Sequence, residues 1–134
     1  MANSERKQDP KSISVNLALQ TLEAYEGKLV VFRFDCVSGD RDHPTDRGIF
    51  RIFKKDKIYR SRTYNAQMNY AMFFTQDGKA IHQYHGPLPL SVVRLARNNV
   101  TDWVGSHGCI RLSEEDVKAL FEWAPMGTPM RICE

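Results

Sequence analysis

A chain of 134 residues is close to the commonest size for one compact domain, so one core and one site are expected. With 42% apolar and 26% charged residues, it belongs with ordinary globular proteins, which excludes the disordered and fibrous classes. The net charge of +3 is small, and the short basic clusters at Arg51, Lys54, Lys55 and Lys57 and at Arg94 and Arg97 do not form the stripe of a nucleic-acid binder.

Residues 1 to about 11 read as a disordered leader, polar and without the apolar segment of a signal peptide. No apolar run is long enough to span a bilayer. Ile13, Val15, Leu17 and Leu19 alternate with Ser14, Asn16 and Ala18, the period of a half-buried strand. Glu26-Gly27 marks a turn, and Leu29–Val37 is a second strand, rich in Val and Phe. Ser38 to Gly48 is a long polar loop. A strand at Ile49–Phe53 follows, then a turn around Lys55-Asp56. Strands at Tyr70–Phe74 and Ala80–His82 flank Gln76-Asp77-Gly78-Lys79, whose Asp-Gly pair signals a hairpin.

In Gly86–Trp103, two prolines argue for loop, while Val92, Val93, Leu95 and Ala96 can line one side of a short helix. This stretch reads as a flap with a helical piece. The firmest helix begins at Ser113. That serine can cap it, Glu114, Glu115 and Asp116 load its first turn, and Val117, Leu120 and Phe121 recur at helical spacing. Pro125 and Gly127 end it, and Thr128–Ile132 reads as a last strand. Many short strands and one firm helix predict a mainly β domain, an antiparallel sandwich or barrel with a C-terminal helix and a flap over the site.

The three cysteines, Cys36, Cys109 and Cys133, form no Cys-x-x-Cys pair and no disulfide framework. Cys36 and Cys133 read as small buried hydrophobes. Cys109 differs because it lies in Gly105-Ser106-His107-Gly108-Cys109-Ile110-Arg111-Leu112. A thiol attacks as thiolate, and an imidazolium neighbour lowers its pKa from about 8.5 by several units. Cys109 is therefore expected to be held as an anion beside His107 or His82. Gly108 permits a turn closed to other residues, which can aim the Gly108 and Cys109 amides at an oxyanion. Nucleophile and oxyanion donors on one segment point to acyl transfer. The alternative is a zinc hydrolase using His82, His85, His107 and Cys109, permissible ligand types without a matching metal motif.

Ser-His-Gly-Cys-Ile-Arg-Leu, the capped helix and Gly127-Thr-Pro-Met-Arg-Ile132 together resemble the end of the L,D-transpeptidase catalytic domain. Ala80-Ile81-His82 resembles the strand carrying that family's other histidine. His43-Pro44-Thr45-Asp46-Arg47-Gly48-Ile49-Phe50 resembles the loop leading into a central strand. The likeness covers roughly residues 12–132 and implies a catalytic domain over 12–134.

The resemblance also implies the roles. Cys109 is the nucleophile and His82 the base, with the Gln83 carbonyl orienting it. His107 supports the site, and Ser106 and Gly108 shape the turn. Arg111 can bind a substrate carboxylate bidentately, and Tyr64 or Tyr70 can line the oxyanion region. The interval from His82 to Cys109 exceeds the family's usual spacing, which implies an enlarged flap and keeps His85 as a second candidate base. The implied substrate is the peptidoglycan stem peptide, cleaved between an L-centred diamino acid and D-alanine through a Cys109 thioester. An amine then gives a cross-link or exchange, and water gives carboxypeptidase activity. No cofactor or metal is implied. A monomer acting in the periplasm or cell envelope, blocked by carbapenems, is expected. A cell-wall amidase generally carries its cysteine before its histidine, unlike this chain. A non-catalytic wall-binding module is the remaining alternative.

Overall fold

The computed structural model describes residues 9–39, 44–62, 65–86, 88–96 and 108–134. The expected leader, apart from its last three residues, lies outside them. Strands β1 (Lys11–Asn16), β2 (Thr21–Glu26), β3 (Leu29–Asp35), β4 (Gly48–Arg51) and β11 (Pro129–Cys133) form a five-stranded sheet in the order β3-β2-β1-β11-β4. Strands β5 (Lys54–Asp56), β8 (Ala71–Phe73), β9 (Ala80–Gln83) and β10 (Ile110–Leu112) form a four-stranded sheet in the order β10-β9-β8-β5. A small ribbon joins β6 (Arg60–Ser61) and β7 (Ala66–Gln67). Helix α1 spans Leu90–Ala96 and helix α2 spans Glu114–Trp123.

The alternation at the start of the chain becomes β1, with Ile13 and Val15 buried. It stops at Asn16, whose side chain accepts the Leu19 amide in a turn. The main core lies between the sheets. Ile13, Val15, Leu22, Met130 and Ile132 come from one, Met72, Ile81, Ile110 and Leu112 from the other, and Val117 and Leu120 from α2. Ser113 caps α2 as expected, its Oγ accepting the Asp116 amide at 3.3 Å.

Three expectations need correction. The fold is mainly β, but its sheets are mixed: β1 pairs with β11 and β9 with β10 in parallel. Each parallel pair joins segments separated by long crossovers, which short-range turn signals do not reveal. The turn expected around Lys55-Asp56 is strand β5, paired with β8. Lys55 runs its stem inward and donates to the Ala124 carbonyl at 2.7 Å and also to that of Phe121, satisfying the end of α2. A basic run thus conceals a strand. The third is β2, a separate strand where the sequence suggested only the approach to a turn.

Candidate active site

Side chains alternate along each strand of the four-stranded sheet, so β8, β9 and β10 present two faces. Met72, Ile81, Ile110 and Leu112 enter the main core. Ala71, Phe73, Ala80 and Cys109 form a second cluster on the other face, with Met68, Tyr59 and Ala66 around it. The parallel register sets Ile110 beside Ile81 and Arg111 beside His82. By alternation His82 shares the face of Ala80, and Arg111 that of Cys109. Cys109, His82 and Arg111 are thus neighbours on one sheet face, spread over about 7 Å of strand.

The Ala80 amide donates to Cys109 Sγ at 3.4 Å. Cys109 is 3% exposed. Burial pushes its thiol up to about 11, while the Ala80 hydrogen bond and the charges of Arg111 and Lys79 pull it down. Burial thus works against the resting thiolate expected from the sequence. Residues distant in sequence, Met68, Ala71 and Phe73, surround the sulfur with apolar groups, and desolvation outweighs the positive charges.

His82 is also buried. Desolvation pushes its imidazole down to about 3, helped by Arg111 and His85 and opposed by the Gln83 carbonyl. His82 Nδ1 lies 2.8 Å from that carbonyl oxygen. A carbonyl only accepts, so in the neutral ring Nδ1 carries the hydrogen and Nε2 keeps a lone pair. This is the orienting contact implied for Gln83. The pair is a neutral thiol and a neutral imidazole in its base tautomer. His85, the other candidate, is solvent-exposed beyond the end of β9.

Gly108 has φ +99, and a Cβ there would sit 2.6 Å from Lys79 Cε and 3.3 Å from the Pro44 carbonyl oxygen. The positive φ is what favours glycine here; a Cβ would also crowd the Pro44 carbonyl, while the Lys79 stem could swing aside. Lys79 lies over this turn, its ammonium 2.9 Å from Asp46 Oδ2 and 3.6 Å from Asp77 Oδ2. Beneath it the Thr45 hydroxyl donates to the Gly108 carbonyl at 3.0 Å. The Arg111 guanidinium stacks 5.5 Å from the centre of the Tyr84 ring, and its backbone is bridged to Val37 in both directions. Val37, Tyr84 and Val93 of α1 then form a third apolar cluster. The helical piece of the expected flap therefore abuts the Arg111 side of the site.

Of the residues singled out from the sequence, the fold brings together Cys109, His82, Gly108 and Arg111. Tyr70 is elsewhere. Its ring packs edge-on against Phe121 of α2 at 5.5 Å, with the main core. His107, Ser106 and Tyr64, like His43 and the last part of the flap, lie outside the described residues. No group of three His, Cys, Asp or Glu able to hold a metal occurs among the described residues, and the His107 of the zinc alternative is not one of them. Lys79 and the Ala80 amide were not singled out. Their only signal was adjacency to the hairpin and to His82.

The family model of the L,D-transpeptidase catalytic domain (YkuD) matches residues 10–132. Among solved structures, an L,D-transpeptidase from Stackebrandtia nassauensis superimposes with a TM-score of 0.76 at 25% identity, covering 93% of this chain and 56% of its own. A cysteine-to-serine mutant of the Enterococcus faecium L,D-transpeptidase gives a TM-score of 0.76 at 27% identity, covering 92% and 49%. The transpeptidase LdtMt1 in complex with imipenem shares the fold, with a TM-score of 0.74 at 23% identity, covering 92% and 59%. The chain thus spans about half the length of these proteins. No curated protein sequence matches it.

Proposed function

The chain belongs to the L,D-transpeptidase catalytic-domain (YkuD) family, and on that premise we propose that it is a cysteine acyltransferase of peptidoglycan stem peptides, with Cys109 as nucleophile and His82 as base. One observation carries the reading. Cys109 and His82 share a sheet face, and the His82 Nδ1 contact with Gln83 leaves Nε2 as the basic nitrogen.

Because both groups rest neutral, the proton moves during attack. Cys109 Sγ bonds to the carbonyl carbon of the L-centred diamino acid as its proton passes to His82 Nε2. The Gly108 and Cys109 amides receive the charge that develops on oxygen. His82 returns the proton to the departing D-alanine nitrogen as the C–N bond breaks and a thioester remains. An incoming amine gives its proton to His82 and attacks the thioester, and His82 returns that proton to the sulfur as the C–S bond breaks. Water in place of the amine gives the carboxypeptidase outcome. Arg111 stabilises negative charge on this face and can hold a substrate carboxylate. His107 and Ser106 keep their roles in the turn, and Tyr64 remains a candidate oxyanion partner. The substrate sets the place of action in the periplasm or cell envelope, with the chain acting as a monomer and without cofactor. Among the described residues no helix is long and apolar enough to cross a membrane.

The test is intact-mass spectrometry after incubation with a disaccharide-tetrapeptide. The expected result is a covalent adduct on Cys109 with release of D-alanine, and neither in Cys109→Ala. An unmodified wild-type protein under the same conditions overturns the reading. Imipenem is expected to acylate the same cysteine.

A further inference from the structure

Thr45 is 5% exposed, and its hydroxyl sits between two backbone groups far apart in sequence. The Gly39 amide donates to Thr45 Oγ at 2.8 Å, and Thr45 Oγ lies 3.0 Å from the Gly108 carbonyl oxygen. The direction of both bonds is forced. Gly39 N–H can only donate and the Gly108 carbonyl can only accept, so the hydroxyl hydrogen points at Gly108.

The Gly108 carbonyl and the Cys109 N–H belong to one planar trans peptide and point in opposite directions. Holding that carbonyl therefore fixes where the Cys109 amide aims, and Gly108, at φ +99, has no side chain to fix it instead. The loop carrying Thr45 is itself anchored. Asp46, its neighbour, is tied to Lys79, whose stem lies against Gly108. Ser38, beside Gly39, exchanges hydrogen bonds with the buried Gln20 side chain at 2.8 and 2.9 Å.

We propose that Thr45 is a positioning residue for the acyl-transfer step: its hydroxyl locks the Gly108–Cys109 peptide so that the Cys109 amide meets the developing oxyanion. This rests on the acyltransfer reading above, but not on the stem peptide being the substrate. Any attack on a carbonyl at Cys109 needs the oriented amide, whereas alkylation of the same sulfur develops no oxyanion and does not.

The experiment compares the two reactions in the whole chain. Acylation is read with p-nitrophenyl acetate. Its carbonyl carbon bonds to Sγ as the bond from that carbon to the nitrophenyl oxygen breaks, and the thiol proton leaves with the nitrophenol. Background from Cys109→Ala is subtracted. Alkylation is read with iodoacetamide. Thr45→Val, which keeps shape but not the hydroxyl, is expected to slow acylation about 10- to 100-fold, less than complete loss of an oxyanion donor. Alkylation should change by less than about threefold, since that reaction makes no oxyanion. Thr45→Ser should restore acylation. Thr45→Ala replaces the valine variant if that one shows no cooperative melt. Equal loss of both reactions, no loss of either, or no rescue by serine overturns the proposal. Wild-type protein that acylates with the ester but forms no adduct with the tetrapeptide would instead overturn the substrate assignment alone.

Discussion

On one face of β8, β9 and β10, Met72, Ile81, Ile110 and Leu112 close the main core, while one residue along each strand the other face holds Cys109, His82 and Arg111. Both faces are buried. On the core face, desolvation of apolar groups is the chief stabilising effect. On the site face it acts on ionisable groups, raising the Cys109 thiol and lowering the His82 imidazole so that both rest neutral. The same exclusion of water thus stabilises the fold on one side and withholds charge on the other until a substrate arrives. Substitutions on the two faces should therefore separate activity from stability.

The largest expected effect is on the site face. His82→Gln removes the base and should lower the rate of Cys109 acylation by roughly 10²- to 10⁴-fold. His85→Ala should leave that rate within about twofold, as expected of an exposed group without a part in proton transfer. If His85→Ala alone stops adduct formation, the base is misassigned. His82→Gln should also change acid stability. The unfolded imidazole takes a proton below about pH 6.5, whereas the buried one resists until about 3. In wild type the stability present above pH 6.5 is accordingly lost as pH falls towards 3, by an amount of order 4 kcal/mol at about 1.4 kcal/mol per pH unit. Urea melts at successive pH values should show that slope flattened in the variant.

Next comes the core face. Ile110→Ala, adjacent to the nucleophile in sequence but pointing into the main core, should cost about 2–5 kcal/mol of stability. Measured below its melting temperature, its acylation rate should stay within several-fold of wild type. A collapse in rate with little change in melting would mean that the two faces are not separable.

The pH profile of alkylation sharpens the contrast further. With the thiol near 11, the iodoacetamide rate at Cys109 should rise about tenfold per pH unit from 7 to 10, following the thiolate fraction. A plateau near neutrality would mean that the sulfur is ionised at rest and that burial does not control it. Because the folded thiol resists ionisation more than an unfolded one, stability should also fall as pH rises from about 9 to 11.

How far each face could be read from sequence follows from the range of the forces that make it. The α2 cap at Ser113 and the turn at Asp77-Gly78 are local, and both stood out. So did Cys109, because Gly108 and its flanking residues lie beside it. The thiol's protonation state did not, since the residues that desolvate it come from β8 and the chain before it. Thr45 was only part of a loop motif, because its partner Gly108 lies 63 positions away. Parallel pairing of β10 with β9 had no local signature either, yet it alone brings His82 beside Arg111. Strand β5 was hidden by its charges, which make sense only beside partners outside the strand, the α2 carbonyls that Lys55 meets and the Tyr59 and Phe73 rings that Lys54 covers.

The smallest effect is expected at the end of α2, on the core side. The Ser113–Asp116 bond is long at 3.3 Å, so Ser113→Ala should cost about 1 kcal/mol or less, towards the low end for an N-cap. Glu114 and Glu115 remain in the first turn and continue to favour its positive end. Burial raises the carboxyl of Asp116 beside them, and its hydrogen bond with Ser113 opposes that. Ser113 directly follows Leu112, the last residue of β10, so a frayed cap would be felt first in that strand. Val117 and Leu120 nevertheless hold α2 in the main core, and the Cys109 turn is secured from the opposite direction by Thr45 and Lys79. A melting temperature lower by a few degrees, with acylation unchanged, is therefore the expected result. A many-fold loss of acylation would show instead that the strand, and not the loop carrying Thr45, sets the position of the nucleophile.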